Sequence, residues 1–138
     1  MKKMYKISAI YLIFALTAGV FYRESSKFMN YIGETALAKV HPHALMLGTA
    51  LFAVLPVFMK LFEIQKDKSF NKFIIFYNIG LVATLVMMAA RGVTQIFNLS
   101  ISSGVSHIIS GFAGMGHIIL TVGIFFLYRA FIKSTKEN

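Results

Sequence analysis

The sequence predicts an all-α integral membrane protein, a bundle of four helices with both termini in the cytoplasm. Of the 138 residues, 57% are apolar and only 14% are charged, whereas about a quarter of the residues in a soluble domain are charged. The apolar residues fall in four runs long enough to cross about 30 Å of hydrocarbon, and most Lys and Arg residues lie at the ends of those runs. We therefore expect one transmembrane domain over residues 1–138.

The first predicted span covers about residues 7–22. Lys2, Lys3 and Lys6 precede it and give it the character of a secretory signal. No small-x-small cleavage site lies near Gly19 to Arg23, so we expect an uncleaved anchor.

The other three spans are predicted at about residues 35–63, 73–95 and 103–131. Pro42 interrupts the start of the second span and predicts a kink or a break in its helix. Short polar connections separate the last three spans, and such connections make consecutive helices antiparallel neighbours.

The distribution of basic residues predicts the orientation and explains the formal net charge of +9. Ten Lys and Arg residues lie on the side that holds both termini, three lie on the other side, and Arg91 lies within the third span. Basic residues accumulate on the cytoplasmic side, so we expect a multi-pass protein of a bacterial cytoplasmic membrane. Its expected partners are the lipid bilayer and further copies of the chain in a homo-oligomer, with no nucleic acid.

Two features of composition narrow the chemistry. The chain has no Cys, which excludes disulfides, thiolate metal sites and cysteine nucleophiles. All five carboxylates fall at or beyond the ends of spans, so no carboxylate pair is available for catalysis within the membrane. These observations favour a protein that is not an enzyme.

The polar residues within the spans are the candidate functional residues, because such groups face a bundle interior or a cavity by default. They include all four histidines and Arg91, and all lie in the predicted outer half of the membrane. At about 100° per residue, His41 and His43 point about 200° apart, so at most one faces a given site. His107 and His117 lie about 80° apart around the helix and about 15 Å apart along it, which fits the two ends of one haem-sized ligand.

Two segments resemble subunit I of the haem-copper oxidases. The segment from His43 to Pro56, HALMLGTALFAVLP, is similar to the second helix of that family, and His107 followed by His117-Ile-Ile-Leu-Thr-Val-Gly is similar to its tenth helix. The resemblance implies that His43 and His117 are the axial ligands of a low-spin haem b and that His107 lies near the propionates. Arg91 is a candidate partner for a propionate, because its planar guanidinium suits carboxylates.

The departure from that family matters as much as the similarity. Met115 stands where the ligand of the high-spin haem is expected, and the chain has no histidine-rich copper segment. Only the low-spin site carries over, which favours electron transfer or the sensing of redox state or a gas, with a redox partner that the sequence does not identify. The chain as a whole also resembles small four-helix membrane proteins of Gram-positive bacteria, which implies no activity.

Three alternatives stay open at this point. Met46 or Met115 could replace one of the axial histidines. A zinc or copper site could form from His41, His43 and His107 at the outer face. The third alternative is an accessory or structural membrane protein without a cofactor, whose polar residues tie the helices together.

Overall fold

The computed structural model describes residues 1–136, which form four long helices and no strands. They are α1 (Lys2–Phe28), α2 (Leu37–Phe62), α3 (Lys68–Ile96) and α4 (Ser103–Lys136). Each is long and apolar enough to cross a membrane, so the predicted all-α class with four spans is confirmed. The last two residues of the predicted domain lie outside the described residues.

The helix bounds differ modestly from the predicted spans. Helices α1, α3 and α4 extend past the apolar runs, because polar residues such as Lys2 and Lys68 continue the helices beyond the apolar segment. Helix α2 is slightly shorter than the predicted range of 35–63 and is followed at once by a residue with positive φ, Glu63.

Large apolar side chains cover the outside of the bundle. Ile13, Met46 and Ile118, for example, are each about two thirds exposed. Such a surface is unfavourable in water and suits contact with lipid tails. The arrangement is compatible with a multi-pass membrane protein.

Packing is strongest between consecutive helices. Helix α3 packs along α4, α1 packs along α2, and the first turns of α2 lie against the end of α3. An aromatic cluster fills the centre, where the ring of Tyr77 lies 5.9 Å from that of Phe52 and 5.2 Å from that of Phe73. All three side chains are almost fully buried, which fixes α2 against α3.

Two glycines allow α3 and α4 to approach closely. A Cβ atom on Gly80 would overlap the backbone nitrogen of Leu120, and one on Gly123 would lie 2.7 Å from the backbone of Tyr77. Small residues at such crossings let helices pack in lipid, where no hydrophobic force drives them together. The crossing therefore sets the position of α4 relative to α3.

Helix α2 passes through Pro42 without a break, which leaves only the kink of the two predicted effects. The chain stays helical over Leu37–Phe62, and the seven residues Ala44–Ala50 adopt a π-helical conformation. Pro42 is the sixth residue of the helix and removes one hydrogen bond to the carbonyl oxygen of Ala38, and the helix nevertheless stays continuous.

The connection between α2 and α3 is fixed by Asp67. Its carboxylate accepts a hydrogen bond of 2.7 Å from the backbone N–H of Ser69 and pairs with Lys133 of α4 at 3.1 Å. The hydrogen bonds from Ser69, with a smaller contribution from Lys133, lower the pKa of Asp67 to about 2. Asp67 thus caps α3 and joins it to the end of α4.

We expect Asp67→Asn to lower stability only where the native carboxylate is charged. Because the folded pKa lies below the unfolded value of about 3.9, the charged group stabilises the fold above that value and loses its effect as pH falls through about 2. Thermal unfolding in detergent from pH 7 to pH 2 should show that the native protein is more stable than the Asp67→Asn variant. This difference in stability should shrink below about pH 4. Glu63→Gln removes an exposed ion pair with Lys66. Its stability should differ from that of the native protein by close to zero at every pH in this range.

Candidate cofactor site

An open cleft of about 360 Å³ is lined by the first turns of α2, by the second half of α3 and by His117 of α4. The lining side chains come from three helices and from the segment before α2, and they are Glu34, Thr35, Ala36, Lys39, His43, Met88, Gln95 and His117. The cleft therefore combines two imidazoles with an apolar thioether and a polar rim.

The imidazoles of His43 and His117 are held in the same way. Nδ1–H of His43 donates to the carbonyl oxygen of Lys39 at 2.7 Å, and Nδ1–H of His117 donates to that of Ala113 at 2.8 Å. Each acceptor lies one turn back on the same helix. A carbonyl acceptor requires the proton on Nδ1, so both rings keep a free lone pair on Nε2.

This arrangement is suited to metal ligation. A histidine ligand usually donates its other ring N–H to a carbonyl or carboxylate, which fixes the tautomer and the ring orientation. Backbone carbonyls four residues earlier take this role because they lie within reach of the imidazole on its own helix.

His41 lies on the opposite face of α2 and does not line the cleft. Its Nδ1–H donates to the carbonyl oxygen of Ala15 on α1 at 2.8 Å. Helical geometry predicted that His41 and His43 point apart, and the structure has them on opposite sides. His41 thus joins α1 to α2.

Arg91 and His107, the residues expected near the propionates of a haem, are not among the residues that line the cleft. The guanidinium of Arg91 donates to the carbonyl oxygen of Ser106 at 3.0 Å and to the hydroxyl of Ser110 at 2.6 Å. The antiparallel pairing of α3 and α4 places these groups opposite each other. His107 is exposed near the start of α4 and directly follows Ser106 in the sequence.

Several residues of the cleft, Met88 and Lys39 among them, had no predicted role, whereas Gln95 belongs to the polar residues of the third span. Met88 and Gln95 lie seven positions apart, which places them on one face of α3. Lys39 counted only as a charge on the outer side, yet it lines the cleft and supplies the carbonyl that holds His43. The thioethers considered from the sequence, Met46 and Met115, are 67% and 51% exposed and lie outside the cleft.

The predicted zinc or copper site is not assembled in this structure. Within the described part of the chain, no three His, Asp or Glu side chains come together to hold one metal ion. His41, His43 and His107 fail to converge because they face α1, the cleft and the exposed side of α4, respectively.

Comparison with known proteins gives one match that covers nearly the whole chain. The family described as "Protein of unknown function (DUF2871)" matches residues 1–134. No curated protein and no solved structure matches the chain, and none of these comparisons shows similarity to the haem-copper oxidases. The chain belongs to the DUF2871 family.

Proposed function

We propose that the chain is a membrane-embedded b-type haem protein in which His43 and His117 are the axial ligands. The observation that carries the proposal is the pair of imidazoles on one cleft, each with Nδ1 bound to a carbonyl and Nε2 free. The proposed role is electron transfer or the sensing of redox state or a gas. We further propose that this site lies in the outer half of the bilayer, because the distribution of basic residues predicts that orientation.

The residues of the cleft fit a haem in their donor chemistry. Neutral imidazoles from two helices are suitable axial ligands for haem iron, and Met88 offers a polarisable apolar wall. Lys39 also lines the cleft, and its ammonium group would pair with a carboxylate of the haem.

Six-coordinate iron favours electron transfer or sensing over catalysis. A haem bound here would supply a one-electron redox centre, and two protein ligands leave no open position for a substrate. The chain's own contribution is to fix the two rings through the carbonyl groups of Lys39 and Ala113.

Some of the polar residues favour a structural role instead. His41 joins α1 to α2, and Arg91 joins α3 to α4 through Ser106 and Ser110. These contacts support the alternative that intramembrane polar groups tie helices together. They do not extend to His43 and His117, whose ring hydrogen bonds stay within their own helices.

Titration of haem into detergent-purified apoprotein tests the proposal. We expect saturation at one haem per chain, and we expect His117→Ala to weaken binding by at least about tenfold, in line with the loss of a ligand or its support. His107→Ala is the matched control, because it removes an exposed imidazole from the same helix and should leave affinity unchanged. Equal affinity in the native protein and both variants would exclude axial ligation by His117.

A further inference from the structure

The π-helical segment Ala44–Ala50 begins immediately after His43. A π-helix closes its hydrogen bonds over five residues instead of four, and π-bulges are frequent at functional sites. The wider turn accommodates one extra residue, and one residue of an α-helix corresponds to a rotation of about 100°. The direction of His43 relative to the inner half of α2 therefore depends on this segment.

Two hydroxyl groups from neighbouring helices bind the carbonyls of the segment. The hydroxyl of Tyr77 on α3 donates to the carbonyl oxygen of Leu47 at 2.9 Å, and that of Ser8 on α1 donates to the carbonyl oxygen of Thr49 at 2.8 Å. Tyr77 is 1% exposed and Ser8 is 7% exposed. Away from water these bonds have no solvent competitor, and leaving the carbonyls without them is costly.

The packing around the segment agrees with this role. A Cβ atom on Gly48 would overlap the ring of Tyr11 on α1, so α1 lies directly against the π-helical backbone. The hydroxyl of Thr49 also reaches the carbonyl oxygen of Ala44, five residues earlier, at 3.4 Å. Contacts from α1, from α3 and from the segment itself thus favour the π-helical form.

We infer that Ser8 and Tyr77 are positioning residues, which hold Ala44–Ala50 in the π-helical form and thereby direct His43 into the cleft that it shares with His117. That the direction of His43 matters for haem binding rests on the proposed function. The geometric statement itself does not depend on whether haem binds.

Cross-linking between cysteines at positions 43 and 117 tests the geometry without any cofactor. The chain has no cysteine of its own, so His43→Cys with His117→Cys gives one defined pair. A short bismaleimide should join them, and mass spectrometry of the linked peptides measures the yield. Adding Ser8→Ala and Tyr77→Phe should lower the yield by about tenfold, the change that follows from the net effect of one to two hydrogen bonds.

Tyr11→Phe is the matched control. It also removes a tyrosine hydroxyl from the bundle interior, but that hydroxyl donates to Oδ1 of Asn78 and not to the π-helical segment. The cross-linking yield should stay at the native level in this variant. An unchanged yield in the Ser8→Ala, Tyr77→Phe protein, or an equal loss in the Tyr11→Phe control, would overturn the inference.

Deletion of Ala50 distinguishes a change in the direction of the side chain at position 43 from a failure of the protein to fold. Removing one residue lets the segment close as an α-helix while the outer half of α2 keeps its direction, so Ser8 and Tyr77 should no longer matter. The yield should therefore return when Ala50 is deleted from the Ser8→Ala, Tyr77→Phe protein, and a yield that stays low would also overturn the inference. A native protein that cross-links as expected yet binds no haem would refute the proposed function alone.

Discussion

Replacing Gly80 by Leu should destabilise the bundle by about 3 kcal/mol or more, the upper range for overpacking a close contact. Even the first carbon of a side chain at this position would overlap the backbone nitrogen of Leu120. The obstacle is backbone, so rotation of a neighbouring side chain cannot relieve it. Because α3 and α4 would have to separate, the cleft that holds His117 should also be disturbed.

Gly111→Leu is the control for this prediction. A Cβ atom on Gly111 meets no atom within 4 Å, and replacing glycine in a helix lowers the entropic cost of folding. Thermal unfolding in detergent, followed by circular dichroism, should show a large loss of stability for Gly80→Leu and no loss for Gly111→Leu. Equal stability of the two variants would contradict the close crossing of α3 and α4.

The second large effect is expected in the visible spectrum. Two imidazoles on one iron should give the reduced protein a sharp α-band typical of a six-coordinate b haem. His43→Ala or His117→Ala leaves a single protein ligand, so either change should abolish that band, and combining them should add nothing further. Such non-additivity is expected for two residues that act as a unit.

The sequence was sufficient to predict the four spans and the separation of His41 from His43. Apolar runs separated by short polar segments define the spans, and a rotation of about 200° follows from helical geometry alone. Both predictions depend only on patterns within a single helix. These patterns hold wherever the hydrogen bonds of that helix follow the α-helical pattern.

The sequence paired His43 with His117 only through the resemblance to the oxidases, because residue counting does not choose between His117 and His107. Counted from the next basic residue along each helix, Lys60 or Arg129, His43 lies midway in depth between the two. That count assumes a rise of 1.5 Å per residue, which does not hold through the π-helical segment Ala44–Ala50. The structure has His117 on the cleft of His43, with His107 elsewhere.

The π-helical segment and the contacts of Arg91 were also beyond sequence reasoning. The donors that bind the segment, Ser8 and Tyr77, lie 41 and 30 residues from their acceptors in sequence. Arg91 is paired with Ser106 and Ser110 by the rotation of α3 against α4, which the crossing at Gly80 sets. Contacts of this kind depend on how the helices assemble, and no single helix encodes them.

The central claim is that His43 and His117 bind one haem, and the reduced-minus-oxidised optical spectrum of detergent-purified protein from haem-supplied cells tests it most directly. The native chain and the His43→Ala, His117→Ala and His107→Ala variants should be purified in parallel. The account predicts a sharp reduced α-band in the native and His107→Ala proteins and its loss in the other two. A flat visible spectrum in all four proteins, or an α-band that survives in His43→Ala, would contradict it.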